Sequence, residues 1–241
     1  MELRSLYREP EHHAEADQVE WALLELHDVF KIFRSGPVET VALRGVSLKL
    51  QEGELMAILG PSGCGKSTLL SLAAALDEPS AGEIRANGTS LARLDEDELA
   101  RYRACDIAVV FQSDNLWPTL TARENVELAL QLAGADHFPD RAAAALDSFG
   151  LSRRADNYPS GVSGGEQQRV AIAAAAAREA KLLLADEPTG ELDVGNEKLV
   201  LEALERLRSE HDVTVLVVTH SSGVAAAADR VIQMRDGRRV A

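Results

Sequence analysis

At 241 residues the chain is long enough for one large domain with a substantial core. Its 39 acidic against 25 basic side chains leave a net charge of −14, which a nucleic-acid backbone repels; this excludes nucleic acid as a bulk partner but not a local phosphate site made of backbone amides. Cys64 and Cys105 have no metal-ligand spacing and fit a reducing compartment, and no apolar run approaches the roughly 20 residues that cross a bilayer.

Residues 1–20 hold six acidic side chains and two arginines without an apolar segment, and read as a flexible acidic extension rather than a targeting peptide. From there, Leu23–Phe33 and Val46–Leu50 alternate as strands and are expected at antiparallel edges. Leu55–Leu59 is short and wholly apolar, which predicts a buried parallel strand, and it runs through a glycine-rich loop into a helix over Lys66–Leu76. Asn87-Gly88 marks a turn, Asp95–Arg103 a short polar helix and Ile107–Phe111 another buried strand. The periodicity then turns helical: Thr121–Gly134 with a Thr121/Glu124 capping box, Asp140–Phe149, and an alanine-rich helix over Gly165–Ala180. Strands at Leu182–Ala185, Val213–Val218 and Val231–Met234 alternate with helices at Gly195–Ser209 and Ser221–Ala228, the pattern of a parallel sheet with crossover helices.

Gly60-Pro61-Ser62-Gly63-Cys64-Gly65-Lys66-Ser67-Thr68 has the spacing of a phosphate-binding loop, with a strand before it and a helix after it. Glycines there let backbone amides turn inward around phosphates, Lys66 reaches the β and γ groups, and Ser67 offers its hydroxyl to Mg²⁺. Asp186-Glu187 ends a hydrophobic strand, where open parallel sheets meet their ligands. Taken alone, that pair describes a solvated helix start. Downstream of a phosphate loop it describes a metal ligand, Asp186, beside a residue that polarises water, Glu187. Ser163-Gly164-Gly165-Glu166-Gln167 places a serine and two glycines before a helix, which is either a second anion site or only a capped helix.

With these motifs the chain resembles the ATP-binding cassette (ABC) ATPases over nearly its whole length. The resemblance implies a P-loop fold with a mixed core sheet and crossover helices, an antiparallel β subdomain, and an inserted helical subdomain at about 113–180. Residues 21–241 would form this nucleotide-binding domain, with ATP and Mg²⁺ as ligand and cofactor. It further implies that Ser163, Gly164 and Gly165 close on the γ phosphate of ATP held by an opposite subunit, and that Asp193 also speaks to that subunit. Gln112 is similar to the glutamine that touches Mg²⁺ and the attacking water, His220 to the switch histidine at the γ phosphate, and Phe33 to the aromatic that stacks on adenine. Without their neighbours, His220 would be a polar strand end and Phe33 a core side chain.

Details such as Val41-Ala42-Leu43-Arg44-Gly45-Val46-Ser47-Leu48 resemble the branch of macrolide exporters and lipoprotein-releasing transporters. That branch implies a second cassette, in a homodimer, and an integral membrane permease, with the chain peripheral at the cytoplasmic face of the cell membrane. Two departures stand out: Ala174–Ala177 replaces a stretch where an arginine is common, and Ser221 follows His220 where an aspartate is usual. The segment from Gln112 to about Glu127 reads either as the surface that meets the permease or as a loop packing Trp117 into the helical layer. A soluble cassette ATPase of DNA repair or of the ribosome is the competing class; long insertions or tandem cassettes would mark it, and the sequence has neither. A nonhydrolytic regulatory module is a third reading, against which Glu187 and His220 both stand.

Overall fold

The computed structural model describes residues 21–240, so the acidic segment 1–20 lies outside the described residues. In chain order, β1 (Leu24–Ser35) and β2 (Val38–Leu50) pair as a long hairpin, and β3 (Leu55–Leu59) leads into α1 (Lys66–Ala73). β4 (Ala81–Ala86), β5 (Thr89–Ser90) and α2 (Glu96–Arg101) follow, then a single π-helical turn, Tyr102–Asp106, and β6 (Ile107–Val110). The helical layer is α3 (Ala122–Leu132), α4 (Phe138–Ser148) and α5 (Gly164–Ala177). The chain then alternates through β7 (Leu182–Asp186), α6 (Val194–His211), β8 (Thr214–Thr219), α7 (Ser222–Ala227), β9 (Arg230–Arg235) and β10 (Arg238–Val240).

Two sheets result. The first is antiparallel in the order β2-β1-β4-β5, and the second runs β10-β9-β3-β8-β7-β6, parallel except where β10 folds back on β9. β1 is therefore not an edge strand as expected; it lies between β2 and β4, because the segment 81–86, too polar to read as a strand, supplies it with a second partner.

The core strands are apolar on both faces because both faces are covered. Leu55, Leu183, Ala185, Val215 and Val217 point into one core shared with the helical layer. Their alternates Met56, Ile58, Leu184, Leu216 and Val218 point into a second core closed by α1 and the antiparallel sheet. Leu184 and Leu216 are fully buried, and truncating either to alanine costs about 2–5 kcal/mol. In α5 the buried run Ala173, Ala175, Ala176 and Ala177 gives the helix slim flanks, with α3, α4 and α6 as its neighbours. One residue beyond, Arg178 donates to the carbonyls of Ala104 and Ile107 and ties α5 to the start of β6.

Glu25 is an acid buried in the antiparallel sheet, fully enclosed in β1 opposite Lys49 and Arg85. Burial pushes its carboxyl up, but the Ala22 amide, His27 and Lys49 outweigh that and hold it below the ordinary glutamate range. A depressed carboxyl stabilises the fold above the ordinary value, and that stabilisation is lost as pH falls through the depressed one. Glu25→Gln is thus expected to cost about 1–3 kcal/mol at pH 7, with the deficit fading in acid; urea melts of both proteins across pH would show it.

Candidate nucleotide site

Four neighbouring parallel strands, β3, β8, β7 and β6, deliver their C-terminal ends to one edge of the sheet. That edge is where open α/β sheets bind ligands. It receives the glycine loop after β3, Asp186 and Glu187 at the end of β7, His220 after β8, and Gln112 after β6.

The loop is held in shape from two sides. Gly65 takes φ 102° and caps α1, and a Cβ there would fall 2.5 Å from the carbonyl oxygen of Ala42 on β2, so only glycine fits. Behind it, the Gly237 amide donates to the Cys64 carbonyl at 3.0 Å, and the Arg44 amide donates to the Gly237 carbonyl at 2.8 Å. Cys64 itself is buried and unpaired. Ser62, Gly63 and Ser67 are exposed along the rim, with Thr68 half-buried behind them, and α1 directs its N-terminal dipole toward that rim.

Lys66 is buried, and its Nζ donates to the carbonyls of Gly60 at 2.8 Å and Pro61 at 3.3 Å. Its amine also lies 3.6 Å from Glu187 Oε1. The other carboxylate oxygen of Glu187 lies 2.9 Å from His220 Nδ1 and accepts the His220 amide at 3.1 Å. Glu187 reaches both partners from a left-handed backbone, φ 47°, anchored where its amide donates to the Val218 carbonyl. A non-glycine residue there costs about 1–3 kcal/mol, a strain typical of functional sites. Burial raises the Asp186 carboxyl above the ordinary aspartate range and Glu187 adds to the push, while the Ser67 hydroxyl and Lys66 draw it back.

That arrangement fits Mg²⁺ and a nucleotide. Ser67, in the first turn of α1, and Asp186, at the end of β7, are hard oxygen donors, and the Asp186 carboxylate, with the Glu187 charge beside it, favours a cation. Among the described residues no group of three or more His, Cys, Asp or Glu could hold a metal alone. A site for Mg²⁺ with phosphates needs no such cage, since the ion keeps waters and phosphate oxygens as ligands.

Other residues singled out in the sequence stand apart. Gln112 turns its amide to Glu191 Oε1, 3.1 Å away, and among the described residues makes no hydrogen bond to Lys66, Asp186 or Glu187. Phe33 is no core side chain: it is 45% exposed, paired across the hairpin with Thr40, and has the Lys31 amine 5.1 Å from its ring centroid. Trp117 is 63% exposed rather than packed into the helical layer. Ser163 caps α5 in a reciprocal box with Glu166, which Arg154 also engages. Burial pushes the Glu166 carboxyl up, but the Ser163 amide and Arg154 outweigh it and leave it below the ordinary range. Among the described residues no hydrogen bond joins Ser163, Gly164 or Gly165 to the phosphate loop; Gly164 instead faces Leu192, just before α6, and Gly165 faces Asn196 in the first turn of that helix. Asp193 caps that helix and is exposed.

Sequence reasoning gave no role to Gln168. It is buried, and its amide donates to the carbonyls of Phe111 and Gln112, while its oxygen accepts from Asn115. A polar residue on the inner face of α5 was the available signal, but its partners follow a different strand.

Two cavities of about 340 and 610 Å³ lie beside the antiparallel sheet and include no residue of the phosphate loop, whose rim residues Ser62, Gly63 and Ser67 are exposed on the single chain. Among the described residues no helix is long and apolar enough to cross a membrane.

The geometry has counterparts among known proteins. The family described as "ABC transporter" matches residues 43–190. A macrolide export ATP-binding/permease protein, MacB of Syntrophobacter fumaroxidans, is 43% identical over 219 residues, covering 89% of this chain and 31% of that protein. The lipoprotein-releasing system ATP-binding protein LolD of Geobacter metallireducens is 44% identical over 223 residues, 91% of this chain and 99% of LolD. The chain thus spans about a third of MacB and nearly all of LolD. Among solved structures, the dimeric post-hydrolysis state of the ATP-binding cassette MJ0796 bound to ADP and Pi superposes with a TM-score of 0.83 at 41% identity, covering 90% of this chain and 97% of that one. With more than half of its length matched, the chain belongs to the ABC transporter family and has the fold of the family's ATPase cassettes.

Proposed function

We propose that this chain binds and hydrolyses ATP as the cassette of an ABC transporter, working as a dimer around two ATP molecules and driving a membrane-spanning permease. The observation that carries this reading is the meeting of Lys66, Glu187 and His220, from three strand ends, within 3.6 Å. The terminal phosphates take over the Lys66 amine from the Gly60 and Pro61 carbonyls, and the loop amides with Ser62, Gly63, Cys64, Gly65 and Thr68 cradle them. Ser67, Asp186 and Gln112 would hold Mg²⁺, which neutralises charge on the phosphate oxygens. Glu187 accepts a proton from the attacking water while His220 orients it, so that positioning and charge stabilisation supply most of the catalysis.

The exposed rim of the phosphate loop and the exposed Ser163, Gly164 and Asp193 favour a site finished by a second copy: the turn Ser163, Gly164 and Gly165, with Asp193, of one protomer covers the ATP of the other. The dimeric MJ0796 cassette supports that arrangement. Phe33 stacks on the adenine from the β1–β2 hairpin, whose Ala42 touches the loop. Trp117, within Gln112–Glu127, and Leu132 at the end of α3 are 63% and 68% exposed and line one hollow, the apolar patch that would receive the permease. The names of MacB and LolD favour work on the outer side of a membrane, either export or extraction, with this chain at the cytoplasmic face.

Solubilising membranes in detergent and capturing a tagged form of the chain tests the transporter assignment. An integral membrane subunit is expected to co-purify and to release on Trp117→Glu. Recovery of the chain with soluble components alone refutes it.

A further inference from the structure

Glu197 lies in the first turn of α6, and its Oε1 accepts a 2.5 Å hydrogen bond from the hydroxyl of Ser221, the residue after His220. Both side chains are half-buried. The Ser221 oxygen also accepts the amides of Gly223 and Val224 and so caps α7, while its own amide donates to the Thr219 hydroxyl. A serine hydroxyl has one proton and two lone pairs, and here all three are used.

On one side of this bond stands the catalytic pair, since His220 directs both its amide and its Nδ1 to Glu187. On the other side stands the surface assigned above to the second subunit. Asp193 caps α6 through the Asn196 amide and side chain at 2.9 and 2.8 Å, and Asn196 lies so close to Gly165 that a Cβ there would fall 2.7 Å from its oxygen. Gly165 against Asn196, Glu197 bonded to Ser221, and His220 bonded to Glu187 are thus joined through the peptide links 196–197 and 220–221 into one line.

We infer that the Glu197–Ser221 hydrogen bond is a positioning link that sets His220 against Glu187 according to where the first turn of α6 lies. It rests on the catalytic reading proposed above. A change at Gly165 or Asp193, made when a second subunit closes, moves Glu197 and through it the histidine. The bond suits that task because a hydroxyl bonded to a carboxylate is short and about twice as strong as a neutral pair. The geometry also gives a reason for a serine at position 221. An aspartate could cap α7 just as well but would repel Glu197; the serine caps the helix and donates to the acid at once.

Glu197→Ala and Ser221→Asp separate this role from capping. The aspartate keeps the α7 cap while setting two like charges together. Each variant is expected to lower kcat about 10-fold, with KM for ATP within about two-fold of wild type and the melting temperature retained. Adding Glu197→Gln to Ser221→Asp should restore kcat to within about three-fold, because the new amide donates to the new carboxylate. Full activity of Ser221→Asp alone, or no recovery in the double variant, overturns the link. Glu187→Gln serves as the reference: if it is inactive while Ser221→Asp is fully active, only the link fails, and if it hydrolyses like wild type the catalytic reading itself has failed.

Discussion

Glu187→Gln is expected to lower kcat for ATP hydrolysis about 10²–10⁴-fold, the range for loss of a positioned general base. Glutamine keeps the shape of the side chain, and its oxygen can still accept the His220 amide, so the site should stay assembled. What disappears is the charge that draws a proton from water, together with the partner 3.6 Å from the Lys66 amine. Lys66 is then freer to engage phosphates, and ATP affinity should hold or improve. Binding without turnover should trap the ATP-closed dimer, visible as an ATP-dependent shift in size-exclusion chromatography that ADP does not produce. Hydrolysis above half the wild-type rate would remove Glu187 from the chemistry.

The second large effect is complementation between two inactive chains. Lys66→Ala removes the amine that grips the phosphates, and Ser163→Arg blocks the turn that covers a neighbour's ATP; alone, each should lose about 10²-fold in activity or more. In a mixed dimer the intact Lys66 of one chain faces the intact Ser163 of the other. One of the two sites is whole. With random pairing half of the dimers are mixed, so equal amounts should recover about a quarter of wild-type activity. A mixture no better than its components would place both residues in the same chain's site. Ser163→Arg also loses the α5 cap, about 0.5–2 kcal/mol, so its melting curve must be recorded alongside.

The parts of this molecule that were legible in the sequence are those decided by nearby residues. Leu55–Leu59 was read to the residue, and β7 and β8 within one, because strands buried on both faces are written as uninterrupted apolar runs. The Thr121/Glu124 box was readable because both partners lie within one turn. The helix starting at Lys66 was expected to run to Leu76 but ends at Ala73, with Ala75 turning to φ 51°. Likewise the polar helix after Asp95 passes into a π-helical turn, which the Arg178 side chain clamps from the far end of α5.

Strands β4, β5 and β10 went unread. The Asp236-Gly237 pair between β9 and β10 is a local hairpin signal, whereas β4 carries no such signal and is held by its pairing with β1. At the site, the residue types that touch phosphate were legible because a motif fixes them relative to one another. Gln168 and Glu197 were not, since what each does depends on a carbonyl or hydroxyl brought to it by another element.

The brace behind the phosphate loop has a consequence for how this chain matures. Residues 40–45 and 234–237, from opposite ends of the described chain, both press on the cradle. Synthesis releases the amino-terminal side first. The cradle therefore takes its final shape only after the β9–β10 hairpin has emerged, so the loop around Lys66 is among the last parts of the described chain to be set.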